Sequence, residues 1–101
     1  MKIGKYNFGT WEFKYNKVLS HFKNTWQLEY YEEESGETHL IYIKSLNDQI
    51  YDLYFSYSFI YLYRQIFGNR LDCQTAFNSL YDAKNYINNL LLKMYRLQSL
   101  I

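Results

Sequence analysis

Four carboxylates crowd one short segment: Glu32, Glu33, Glu34 and Glu37 bracket Ser35 and Gly36. Side chains of this type and spacing could hold a divalent cation, transfer protons, or imitate nucleic-acid phosphate in a basic groove. A polar segment with a glycine that can take positive φ reads as a turn. Catalytic carboxylates need burial or a charged neighbour to tune their pKa values, and an exposed tip supplies little of either. Phosphate mimicry suits these acids better than catalysis. The plainest role for them is a solvated tip that protects neighbouring strands from edge pairing.

The remaining reactive side chains are scattered. His21, His39 and Cys73 fall in none of the spacings of a structural zinc site. Nothing in the sequence supports Cys73 and His39 as a nucleophile and its base; His39 reads as a surface histidine beside the acidic turn. Gly4 and Gly9 lack the Lys-Ser/Thr and the following helix of a phosphate loop, and G-x-S-x-G, H-E-x-x-H and D-x-D are all missing. The expectation is a non-enzyme with no catalytic residue, no metal and no cofactor.

A second candidate surface is aromatic. Tyr51, Tyr54, Phe55, Tyr57, Phe59, Tyr61 and Tyr63 place seven rings within thirteen residues. Bases stack on such rings for about 1–3 kcal/mol each. Tyr54, Tyr57, Tyr61 and Tyr63 with Lys2, Lys5, Lys14 and Lys17 therefore make a candidate surface for single-stranded nucleic acid. The aromatic and glycine signature of an RNP motif is missing, and a net charge of +1 falls short of a basic footprint. Tyrosine also anchors protein interfaces, adding area and a hydroxyl at low entropic cost. Thirteen tyrosines exceed what one helix can cover. Glu32, Glu33, Glu34 and Glu37, joined by Tyr54, Tyr57 and Tyr61, are thus expected to contact a heterologous protein, with a second copy of the chain as the other occupant.

Strands and one helix must position these groups. Thr10–Tyr15 alternates with Trp11, Phe13 and Tyr15 on one side, and Lys2–Phe8 reads as a short edge strand. Thr25–Glu32 and Thr38–Lys44 form a hairpin across the acidic turn. Ser45 to Asp48 makes the next turn, leading into an aromatic strand from about Gln49 to Tyr63. That strand has a competitor, because Ile50, Leu53, Tyr54, Tyr57, Ile60, Tyr61 and Phe67 also fall at helical spacings. Tyr and Phe favour strands, so the strand is preferred, with a bulge or bend inside it. Gly68-Asn69 closes the segment beyond it. Ser79 and Asp82 make a capping box, after which Leu80, Ala83, Ile87, Leu90, Leu91, Met94 and Leu97 form one apolar helical stripe. The fold class is α+β, an antiparallel sheet of four to five strands with one long C-terminal helix packed on one face.

The 101 residues make a single domain, and 49% hydrophobic residues suffice for one core. No apolar run approaches the ~20 residues of a membrane span, and no apolar stretch of a signal peptide stands behind the N-terminal lysines. A lone cysteine fits a reducing compartment, so the expected location is the cytoplasm of a bacterial host. Abundant Tyr, Asn, Lys, Ile and Phe, few alanines and no proline point to an AT-rich genome. Charge is segregated: +4 over residues 1–23, −6 over 24–52 and +3 over 53–101. Such flanks can neutralise the acidic middle within one fold or form separate faces.

In general character the chain is similar to small proteins that phages and mobile elements carry to block a host or defence enzyme, anti-CRISPR proteins among them. The likeness is of kind and rests on no shared motif. It implies an inhibitor that occupies the surface of a nucleic-acid-processing protein. The alternative is an accessory protein binding single-stranded nucleic acid through the aromatic face and the N-terminal lysines.

Overall fold

A computed structural model of the chain describes residues 1–9, 14–15, 25–47, 49–68 and 73–98. Alternation along the first half gives strands β1 (Lys2–Ile3), β2 (Tyr6–Phe8), β3 (Lys14–Tyr15), β4 (Thr25–Glu32), β5 (Thr38–Asn47) and β6 (Ile50–Phe55). Helix α1 (Tyr57–Phe67), a two-residue strand β7 (Ala76–Phe77) and helix α2 (Leu80–Gln98) follow among the described residues. All ladders are antiparallel, in the order β1-β2-β4-β5-β6-β7, with β3 pairing the same strand β4. The α+β architecture is as expected, built among the described residues on three long strands and four short ones.

The acidic hairpin forms as its sequence dictates. Gly36 takes φ 71°, a conformation that side chains resist. Its N–H donates to the Glu32 carbonyl at 2.8 Å, and the Glu32 N–H donates to the Glu37 carbonyl at 3.0 Å. Trp26 then faces Ile43, Leu28 faces Ile41 and Tyr30 faces His39. β5 in turn sets Ile43 against Leu53 and Ile41 against Phe55. One face of the sheet is therefore apolar. β5 runs on to Asn47 with an irregularity between Ser45 and Asn47, so the expected turn at Ser45 to Asn47 is strand; Asp48 lies outside the described residues. The expected edge strand Lys2–Phe8 is a hairpin instead, because Gly4 turns the chain at φ 60°. A Cβ at Gly4 would stand 2.8 Å from Leu62 Cδ1, so this turn abuts α1. Of the expected strand Thr10–Tyr15, only Lys14 and Tyr15 are described, and both are strand.

The aromatic run corrects the expected long strand. Period 2 holds for Tyr51, Leu53 and Phe55, then stops at Ser56, which has extended backbone (φ −72°, ψ 161°). Beyond it the buried residues Phe59, Leu62 and Tyr63 fall at helical spacing. The competing helical reading is right for this half, because packing overrides the strand preference of Tyr and Phe. Phe59 stacks on Phe55 at 4.7 Å and meets Phe8 and Tyr30 edge-on. The Tyr30 hydroxyl hydrogen-bonds Ser56 Oγ and, at 2.5 Å, Ser58 Oγ. Gly68 ends α1, its N–H donating to the Arg64 carbonyl; Asn69 lies outside the described residues.

Helix α2 keeps closely to its sequence signals. Ser79 Oγ accepts the Asp82 N–H at 3.0 Å, and Ala83, Ile87, Leu91 and Met94 are fully buried. Both helices join the core cluster of Ile3, Phe8, Leu28, Tyr30, Ile41, Ile43 and Leu53, so both lie on the same sheet face. The Gln98 side chain ties the end of α2 to the first hairpin, accepting the Gly4 N–H at 2.7 Å and donating to the Lys2 carbonyl at 2.5 Å. On the opposite sheet face Tyr42 stacks on Tyr54 at 5.0 Å, with Lys44 Nζ 5.7 Å above the Tyr54 ring.

Candidate interaction surface

The charge segregation resolves into pairs. Because β2 lies antiparallel to β4, with Tyr6 opposite Glu32 and Asn7 opposite Tyr31, the first hairpin runs alongside the acidic tip. Lys2 Nζ reaches Glu33 Oε2 at 2.9 Å, and Lys5 Nζ lies 3.5 Å from Glu32 Oε1. The Asn7 amide donates to the other oxygen of Glu33. Hydrogen bonds from Lys2 and Asn7, helped by the lysine charge, hold the Glu33 carboxyl below its ordinary pKa. The Glu32 charge raises the Lys5 ammonium above its own. Exposed pairs of this kind add little stability, but they settle where charge is presented. Half of the acidic tip is neutralised by two of the lysines that would otherwise meet nucleic acid.

Glu34 and Glu37 remain outward. Glu37 Oε2 is 4.0 Å from His39 Nε2. His39 is not the surface histidine that its neighbours suggest. Its ring stacks on Tyr30 at 5.3 Å, meets Tyr6 edge-on at 5.6 Å, and buries Nε2 without a hydrogen-bond partner. Strand alternation carries the reason, since His39 shares the core face with Tyr30.

The tyrosines divide between two sides of the molecule. Tyr57 is 92% exposed and Tyr61 67% exposed, four residues apart on the outer side of α1. Tyr61 and Lys5 line one surface cavity of about 260 Å³, together with Tyr6, Leu62 and Gln65. Tyr61 therefore adjoins the Lys5–Glu32 pair, and Tyr57 sits one turn away. Tyr54 does not join them: it lies on the sheet face opposite the helices, against Tyr42. Tyr63 is turned inward and buried, packed on Phe67. Lys14 pairs Gln27 in β3, toward the other end of β4 from the tip, and Lys17 lies outside the described residues. One rim thus gathers Lys2, Lys5, Glu32, Glu33 and Tyr61. It also holds Asn7 and Gln65, which lie too far apart in the chain for local patterning to join them. Sequence reading also missed the exposure of Tyr81 and Tyr95 on α2; their positions off the buried stripe were the available signal.

No group of His, Cys, Asp and Glu among the described residues is placed to hold a metal ion. No described helix is long and apolar enough to cross a membrane. No protein-family model, curated protein or solved structure matches the chain.

Proposed function

We propose that this chain is a non-enzymatic binding protein that inhibits another protein by occupying its surface. The observation that supports this most is the exposure of Tyr57 and Tyr61 beside the ion-paired rim. Two rings one helical turn apart, on a helix whose other side is locked in the core, lose little entropy when a partner buries them. The paired charges of Lys2, Lys5, Glu32 and Glu33 then act as a polar border that fixes orientation.

The partner class we assign is a nucleic-acid-processing protein of a bacterial host or its defences, with a phage or mobile element as the source and the cytoplasm as the place of action. Outward Glu34 and Glu37 would reach toward its basic groove, a narrower acidic contact than all four glutamates would make. The tagged chain, passed through lysate of a low-GC bacterium with and without nuclease, is expected to retain a stoichiometric protein in both cases. Replacing Tyr57 and Tyr61 by Ala should release it, and Glu34→Gln with Glu37→Gln should weaken capture. Recovery of nucleic acid alone, lost on digestion, would replace this reading with single-strand binding. Capture indifferent to Tyr57→Ala and Tyr61→Ala would remove α1 as the anchor.

A further inference from the structure

Helices α1 and α2 leave a gap where they lie side by side. Tyr63 and Phe67 stand four residues apart on α1, and Tyr86, Asn89, Leu90 and Lys93 keep the i, i+3, i+4, i+7 spacing of one face of α2. These two faces confront one another across a cavity of about 300 Å³. Its aromatic walls are fixed by contacts of their own. Tyr63 is buried and leans on Phe67 at 4.6 Å. The Tyr86 ring tilts on Phe77 at 5.2 Å, and its hydroxyl accepts the Gln74 N–H at 2.9 Å. Side chains held in this way have little freedom left to lose when a ligand touches them. One charge lines the cavity, that of Lys93. Its Nζ stands 5.6 Å from the centre of the Phe67 ring, and no carboxylate among the described residues pairs with it. An exposed cation resting on a ring is held weakly, whereas a carboxylate would give it a charge-assisted hydrogen bond.

We infer that this cavity binds a small aromatic carboxylate. The rings of Tyr63, Phe67 and Tyr86 offer edges and faces to a flat apolar body, with Leu90 completing the apolar lining. Lys93 and the Asn89 amide supply donors for the carboxylate. Apolar walls with a few polar groups that fix orientation are the usual make-up of a small-molecule site, and this volume stands at the low end of their range. That limits the ligand to one or two rings. On α1 the cavity lies on the side away from the rim, since Tyr63 stands about 200° round the helix from Tyr61. The inference therefore stands independently of the proposed function.

The test is a titration of the full chain, labelled with nitrogen-15, with 2-naphthoate and separately with its neutral analogue 2-naphthamide. Naphthoate should shift the amide signals of Phe67, Asn89 and Lys93 in a saturable way and leave those of Tyr57 and Tyr61 in place. The neutral amide should bind at least about tenfold more weakly. Lys93→Met keeps the length of the side chain and removes its charge. It should bring naphthoate down to the level of the amide and leave the amide itself unchanged. Lys93 and Asn89 are both exposed, so the fold should accept substitution at either. Asn89→Trp, which sets an indole at the cavity, should abolish binding of both compounds, with circular dichroism showing an intact fold. Absence of saturation up to millimolar naphthoate overturns the inference. So does equal binding of acid and amide, or a preference for the acid that survives Lys93→Met.

Discussion

Helices α1 and α2 lie on the same face of the same sheet, yet they are helical for different reasons. α2 carries its own instructions: a Ser79 cap that accepts the Asp82 N–H, an acid in the first turn, Arg96 in the last, and a buried stripe at regular spacing. α1 shares the basic residue in its last turn, Arg64, and a buried stripe of Phe59, Leu62 and Tyr63, but neither of the signals at its start. Its N-cap Ser56 makes no side-chain capping bond, its first turn holds no acid, and six of its first seven residues are Tyr, Phe, Ile or Leu. Ser56 instead joins Ser58 at the Tyr30 hydroxyl, and Phe59 is clasped by Phe8, Tyr30 and Phe55. A helix can be imposed from outside by what it packs against, and then its local sequence points elsewhere.

Removing the clasp is the strongest way to break that contrast. Phe59→Ala should cost about 3–5 kcal/mol, and urea unfolding followed by circular dichroism should show helix content falling with it. A well-folded variant of unchanged stability would mean that α1 holds itself. Tyr30→Phe removes only the hydroxyl between the two serines, at about 1–3 kcal/mol. Amide exchange should accelerate in the first turn of α1 and leave α2 as it was. Ser79→Ala is the reciprocal probe. It should cost about 0.5–2 kcal/mol and speed exchange at the start of α2 alone.

The smallest effect concerns the rim. Glu33 has its carboxyl held below its ordinary pKa, so its contribution to stability is full above that ordinary value and fades as pH falls through the lower folded one. The difference in stability between the parent chain and Glu33→Gln should therefore close on acidification. A difference independent of pH would deny the Lys2 and Asn7 contacts a role.

The same contrast explains what could be read in advance. The β4–β5 hairpin, its glycine turn and α2 were legible because each rests on neighbours in sequence. The helical half of the aromatic run was not, since the decisive partners of Phe59 include Phe8 and Tyr30, far back in the chain. Site residues divided along the same line. The outward placement of Glu34 and Glu37 comes from the turn that bears them. The capture of Glu32 and Glu33 by Lys5 and Lys2 depends on β2 lying beside β4, which no local pattern announces. Nor could alternation alone tell that Tyr54 and Tyr57, three residues apart, end on opposite sides of the molecule, because the chain changes from strand to helix between them.

The rim draws on residues 2–7, 32–33 and 61–65, so it comes into being only when distant parts of the chain have met. No linear fragment can reproduce it: a peptide spanning the acidic tip lacks its lysines, and one spanning α1 lacks the core that makes it a helix. An antibody raised against the rim would see a conformational epitope, lost on denaturation, and would serve as a direct gauge of how much of the chain is folded.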